Sequence, residues 1–279
     1  MLHKARPLFE KGGKFERLYP LYEAKETFLF VGPQRTSGGA HIRDSLDTKR
    51  LMTMVIIALL PCMFFGMYNV GYQAYQAIGD ATNASNLMAC VLKGAWHMMP
   101  IIVVSYAAGG VWEVVFAVTR KHEINEGFLV TGLLFPLTMP PTMPLWMVAV
   151  SVSFGVVIGK EVFGGTGMNI FNPALVARAF AFFAFPAYIS GDKVWAVVKS
   201  GAAIEGYTGA TPLLYAASHG TGEPVVQALQ HFGGASHFTD FSWLNMFLGR
   251  IPGSMGETST LAILLGALFL IVTGVGSWR

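Results

Sequence analysis

Six long apolar stretches, at residues 51–71, 100–119, 127–143, 145–163, 174–190 and 257–277, constrain this chain more than any other feature. A helix crossing the hydrocarbon core of a bilayer needs about 20 mostly apolar residues, and each stretch approaches or meets that length. The third and fourth are short and are separated by Pro140, Pro141 and Pro144, which favours a tight turn between them, because proline lacks the backbone donor that continues a helix. The composition agrees. Only 13% of residues are charged and 53% are hydrophobic, whereas soluble domains carry about 25% charged residues. The expected fold is an all-α polytopic membrane protein of about six transmembrane helices, some interrupted, with a long outer loop.

Charge sets the orientation. Ten of the nineteen Lys and Arg lie in residues 1–50. Arg120, Lys121, Lys160 and Arg178 mark the same side of the later spans, while residues 72–99 hold only Lys93. Basic loops face the cytoplasm. The expected organisation is a cytoplasmic segment 1–50, a five-span bundle 51–190, an outer loop 191–256 and a sixth span in 257–279, in a bacterial inner membrane. The long apolar runs begin only near Leu51, so no cleavable leader is expected. The basic N-terminal segment reads as a neighbour of membrane lipid, not of nucleic acid. Residues 241–250 suit a short interfacial helix, and Ser254 and Glu257 have capping-box spacing. Cys62 and Cys90 are expected to be small buried or lipid-facing residues. The histidines lack metal-pair spacing, so no zinc or haem is expected.

Four segments could carry chemistry. EGYTGATPL, Glu205 to Leu213, places hydroxyls at Thr208 and Thr211 around the small Gly209 and Ala210. On spacing alone it is an ordinary polar turn. KEVFGGTGMNIFNPA, Lys160 to Ala174, combines glycines suited to positive φ with Asn169 and Asn172. Irregular polar backbone at membrane depth lines a cavity or a ligand, or packs helices closely. Glu113 lies inside a span, where a carboxylate is costly and marks a functional site by default. The adjacent Gly109 and Gly110 leave room for a flat ligand or a close helix. GGKFERLYPLYEAKETFLF, Gly12 to Phe30, suits an amphipathic surface segment and includes Glu23.

These segments, with HIRDSLDTKRLM, GMYNVG, RKHEINEGF and IPGSMGETSTLA, resemble the B subunit of the sodium-translocating NADH:quinone oxidoreductases over nearly the whole chain. The related D subunit of the Rnf ferredoxin:NAD oxidoreductases shares the glycine–asparagine stretch and the hydroxyl motif but matches the N-terminal segment less well. The resemblance implies a membrane electron-transfer subunit of a hetero-oligomeric complex that reduces ubiquinone and exports Na+. It implies FMN joined through its phosphate to Thr211, with Glu205, Thr208, Gly209 and Ala210 completing the motif, and a separate flavin transferase that makes the bond on the outer side. The family motif carries aspartate where this chain has Glu205. The resemblance also implies non-covalent riboflavin near Asn169 and Asn172. It implies a quinone site near Gly109, Gly110, Glu113 and Glu23. Family members continue through further spans past the position of Arg279, so a truncated chain is expected. A non-redox secondary transporter with broken helices is the competing class.

Overall fold

The computed structural model describes residues 7, 9, 13, 15, 19, 22, 48–120, 127–198, 202–205, 207–218, 225, 227, 229 and 241–279. Glu23 and most of the N-terminal segment lie outside the described residues. Those residues are helical or irregular, with no strand among them. In order they form α1 (Thr48–Ala77), α2 (Ala81–Ser85), α3 (Leu87–Arg120), α4 (Gly127–Leu137), α5 (Leu145–Val157), a 3-10 turn (Glu161–Phe163), α6 (Pro173–Ala184), α7 (Pro186–Ile189), α8 (Pro212–Ser218), α9 (Trp243–Leu248) and α10 (Thr260–Val272).

Three helical segments, Arg50–Ala77, Leu87–Arg120 and Leu145–Phe163, are long and apolar enough to cross a membrane. α4, α6 and α10 are apolar but shorter. The second span therefore begins at Leu87 rather than at residue 100. Pro100 sits inside α3 without ending it, as prolines can within apolar bundles where neighbours satisfy the freed carbonyl. Cys62 and Cys90 are both buried, as expected, Cys90 within this second span.

The bundle is built on glycine. A Cβ at Gly71 would overlap the carbonyl oxygen of Cys90, and one at Gly94 would overlap that of Met67. The pairing of 71 with 90 and 67 with 94 shows that α1 and α3 run antiparallel. Cβ atoms at Gly66 and Gly266 would likewise strike the carbonyl oxygens of Met255 and Ala58. Without a hydrophobic force between helices in lipid, such close backbone approach supplies the packing. Gly94→Ala is accordingly expected to destabilise the bundle by about 1–3 kcal/mol through overpacking, read as a lower melting temperature of the purified complex.

On α3 the buried residues Cys90, Gly94, Met98, Ile101, Ile102, Ser105, Gly109, Glu113 and Ala117 recur mostly at steps of three and four. That is the spacing of one helical face. α3 packs on α1, α4 and α5, and α5 packs on α6.

α4 is a half-helix of 11 residues, roughly 16 Å at the helical rise. Its free end is completed by the chain before α10. Gly256 N–H donates to the Leu137 carbonyl at 2.7 Å and Met255 N–H to that of Met139 at 3.1 Å. Asn69 of α1 holds the same segment, donating from Nδ2 to the Ile251 carbonyl at 2.9 Å and to Thr258 Oγ1 at 3.3 Å. Backbone that cannot meet water is thus satisfied by protein. The expected cap at Ser254 is displaced by this arrangement. Ser259 caps α10 instead, its Oγ accepting from Ala262 N–H at 3.2 Å. Glu257 turns to Arg178, whose Nη1 donates to both carboxylate oxygens at 2.8 Å. The short helix expected near 241–250 is α9, capped by Ser242.

Candidate functional site

The hydroxyl motif sits at the Ala77 end of α1, opposite Thr48. Ile204 N–H donates to the Ala77 carbonyl at 3.1 Å and pins the loop there. Glu205 follows and is exposed. Thr208 Oγ1 accepts from Ala210 N–H at 3.2 Å, which closes a small turn over Gly209. A Cβ on Gly209 would overlap the Asp192 carbonyl, so only glycine lets the two segments meet there. Ala210 is buried. Thr211 is half-buried at the start of α8, where its Oγ1 accepts from Leu214 N–H at 3.2 Å. Its hydroxyl proton meets no acceptor among the described residues. The motif is therefore anchored on both sides of a hydroxyl that stays partly open.

Tyr207 precedes this turn, its N–H donating to the Ile204 carbonyl at 3.2 Å. Burial pushes its phenol up to about 12, and its hydroxyl has no hydrogen-bond partner among the described residues. An acid whose folded pKa is raised binds its proton more tightly folded than unfolded. The loop's stability is therefore full below about pH 10 and falls as pH rises toward 12. Tyr207→Phe is expected to abolish that alkaline loss. At neutral pH it is expected to be neutral or stabilising, because it removes a buried hydroxyl with no partner. Thermal melts at pH 7 and pH 11 check both.

The glycine–asparagine segment joins α5 to α6. Gly164, Gly165 and Gly167 have φ of 117°, 97° and 91°, values open to glycine and strained for other residues. Asn169 folds this loop on itself, accepting from Gly167 N–H at 3.2 Å and donating to the Phe171 carbonyl at 2.9 Å. Asn172 caps α6, its Oδ1 accepting from Ala174 N–H at 2.9 Å, with Pro173 as the first helical residue. The Asn172 Nδ2 donates to none of the described residues. Met168, Ile170 and Phe171 around it are largely exposed. Beside the loop lies an apolar groove of about 740 Å³ lined by Phe154, Phe163, Phe171 and Phe180, among others.

Gly109 and Glu113 stand one turn apart on the buried face of α3. The space beside Gly109 is filled by Phe128 of α4, whose ring edge a Cβ would strike. Gly110 is freer, with Phe128 Cε1 at 3.7 Å from a built Cβ. Gly110→Ala is expected to assemble normally and Gly109→Ala to be the more disruptive of the two, measured as complex yield and melting temperature.

Glu113 itself is 3% exposed and ion-paired with Lys160. Lys160 Nζ also lies 3.3 Å from Glu161 Oε1. Arg120 Nη1 lies 3.2 Å from Glu161 Oε2, and its Nη2 donates to the Glu161 carbonyl at 2.6 Å. Among the described residues, two acids and two bases thus form one chain of ion pairs, Glu113–Lys160–Glu161–Arg120. Lys160, which also marks topology in the sequence, is the ion-pair partner of the intramembrane acid, and Arg120 braces Glu161 beside it. The signal available in the sequence was the Lys160–Glu161 pair ending an apolar run.

The structure keeps the Thr211 loop apart from the Glu113 cluster, which the glycine–asparagine loop adjoins through Lys160 and Glu161. α1 and α3 are antiparallel, so Arg120 lies toward the Thr48 end while the Thr211 loop lies at the Ala77 end. From Leu87 to Glu113, α3 rises roughly 40 Å.

Long apolar helices, half-helices completed by irregular chain and a buried ionic cluster define a polytopic α-helical membrane protein. The chain belongs to the NQR2, RnfD, RnfE family, whose sequence profile matches residues 35–279. It is 49% identical to the B subunit of the Na(+)-translocating NADH-quinone reductase of Chromohalobacter salexigens, across all of this chain and 67% of that protein. The identically named proteins of Azotobacter vinelandii and Yersinia pestis are 48% and 44% identical, each across all of this chain and 70% of the relative.

Proposed function

We propose that this chain is the membrane-embedded B subunit of a sodium-translocating NADH:quinone oxidoreductase and works in a multi-subunit complex. The observation that carries this is the match of the whole chain, at 44–49% identity, to proteins of that name. The test is NADH-driven uptake of sodium by vesicles containing the purified complex. Uptake that persists when a protonophore collapses the proton gradient supports the reading. Uptake abolished by the protonophore, or absent, rejects it.

The finer reading is that the subunit carries FMN on Thr211 and riboflavin near Asn169 and Asn172, and passes electrons to ubiquinone. The residues present fit an attached flavin at the outer loop. Thr211 offers a half-buried hydroxyl whose proton meets no acceptor among the described residues, held by a turn that Gly209 and Thr208 fix in place. When bound, the flavin supplies an acceptor and donor of one or two electrons. The chain's own part is to hold it. An ester bond through the Thr211 oxygen anchors the phosphate without using the ring, and Glu205 remains exposed two residues before Tyr207. At the glycine–asparagine turn, the Asn172 amide donors, unused among the described residues, and the exposed Phe171 offer a polar and an aromatic contact for a second ring. Gly110 and Glu113 stand toward the end of the bundle opposite the Thr211 loop, where a quinone or a sodium ion would be met. The placement of residues 191–256 on the outer face of the membrane and the cytoplasmic N-terminus belong to this same reading, which the concentration of Lys and Arg before residue 51 supports.

A further inference from the structure

The residue left without a task by this reading is Lys160. It is 4% exposed and stands where α5 gives way to the 3-10 turn. Lys160 N–H still closes a helical bond to the Val156 carbonyl at 3.2 Å, while its own carbonyl accepts from Phe163 and Gly165 N–H at 3.2 Å each. The positive φ of Gly164 and Gly165 turns the chain back immediately afterwards. Lys160 and Glu161 both lie buried at this break. The ammonium bridges Glu113 Oε1 and Glu161 Oε1. Glu161 is in turn held on its other oxygen and its carbonyl by Arg120. Formal charge over these four groups sums to zero, so the buried carboxylates of Glu113 and Glu161 each face a cation.

We infer that Lys160 is a positioning residue for Glu113. Its ammonium fixes the orientation of the Glu113 carboxylate, and Glu161, itself held by Arg120, fixes Lys160. The inference rests on the reading of the chain as part of a sodium-translocating NADH:quinone oxidoreductase, in which Glu113 serves the cation or the quinone. A lysine that only braced the fold would affect how much complex assembles. A lysine that positions Glu113 must change the same kinetic quantity that Glu113 changes.

The experiment uses the whole complex, purified with Glu113→Gln, Lys160→Met or both substitutions in this chain. For each, kcat and the half-saturating concentrations of sodium and of quinone are measured per assembled complex. Lys160→Met is expected to shift the parameter that Glu113→Gln shifts, in the same direction and by about tenfold, the scale of one charge-assisted hydrogen bond. The double variant is expected to shift it no further, since both changes remove one unit. If Lys160→Met alone does not assemble, the double variant, which carries neither charge, decides: kinetics matching Glu113→Gln alone support the inference, and any further loss overturns it. Wild-type kinetics for either single variant, or effects that multiply, also overturn it. A wild-type complex with no sodium-stimulated NADH–quinone reductase activity would fail the functional reading itself and is recognisable before any variant is made.

Discussion

Thr211→Val is expected to remove all covalently bound flavin from this protein while the chain remains in the membrane. Valine keeps the branched shape but has no oxygen with which to form a phosphoester. Losing the hydroxyl also removes the acceptor for Leu214 N–H at the start of α8, a cap worth about 1 kcal/mol. That is too little to undo a loop fixed by Ile204 to Ala77 and by Gly209 against Asp192. Thr211→Ser keeps both the oxygen and the cap, so it is expected to retain flavin. Thr208→Ala leaves the acceptor oxygen of Thr211 untouched and breaks only the local turn, so it is expected to lower the yield of flavin without abolishing it. In-gel fluorescence of the denatured chain reads all three. Flavin still bound to the Thr211→Val chain would mean that another residue holds it.

Glu161→Gln is expected to have the largest effect on stability. Its carboxylate is 1% exposed and is shared by Lys160 and Arg120. Removing the charge leaves two cations with one remaining carboxylate, and breaking a buried pair in this way costs about 3–5 kcal/mol. The lower end applies, because Arg120 is about one-third exposed and Lys160 keeps Glu113. The amide oxygen can still accept one hydrogen bond, which again limits the loss. The measurement is the melting temperature of the purified complex and the fraction of this chain recovered in it. A variant as stable as the wild type would mean that the ionic cluster contributes nothing to the bundle.

The long helices were legible because their apolar runs leave few alternatives. The register of α3 was not. Pro100 reads as a helix start in a linear sequence, yet in the folded bundle it sits within a helix that runs from Leu87. The half-helix α4 could be anticipated from Pro140 and Pro141, but the partner that completes it could not. Met255 and Gly256 lie more than a hundred residues away, and only tertiary structure brings their N–H groups to Leu137 and Met139. Separation along the chain, here 79 residues, also hid the exchange at α10, where Glu257 leaves its capping role for Arg178.

The site was legible in part, and for different reasons at each place. Glu113 declared itself by being a carboxylate within an apolar span. Its counter-ion did not, since Lys160 at the end of another span looks like any basic loop residue until α3 and α5 are packed. Thr211 is invisible to spacing arguments, and resemblance to a family selected it. The structure adds that its hydroxyl is held half-buried in an anchored turn at the Ala77 end of α1. Gly109 illustrates the opposite case, where small size served the Phe128 ring of α4.

The central claim is that this chain holds a flavin through Thr211. The most direct measurement is the intact mass of the chain isolated from membranes in which its flavin transferase is also present, followed by fragmentation of the peptide containing Thr211. The expected result is the polypeptide mass plus FMN less one water, with the added mass on Thr211. A chain at the bare polypeptide mass, or one carrying the flavin on another residue, would contradict the claim.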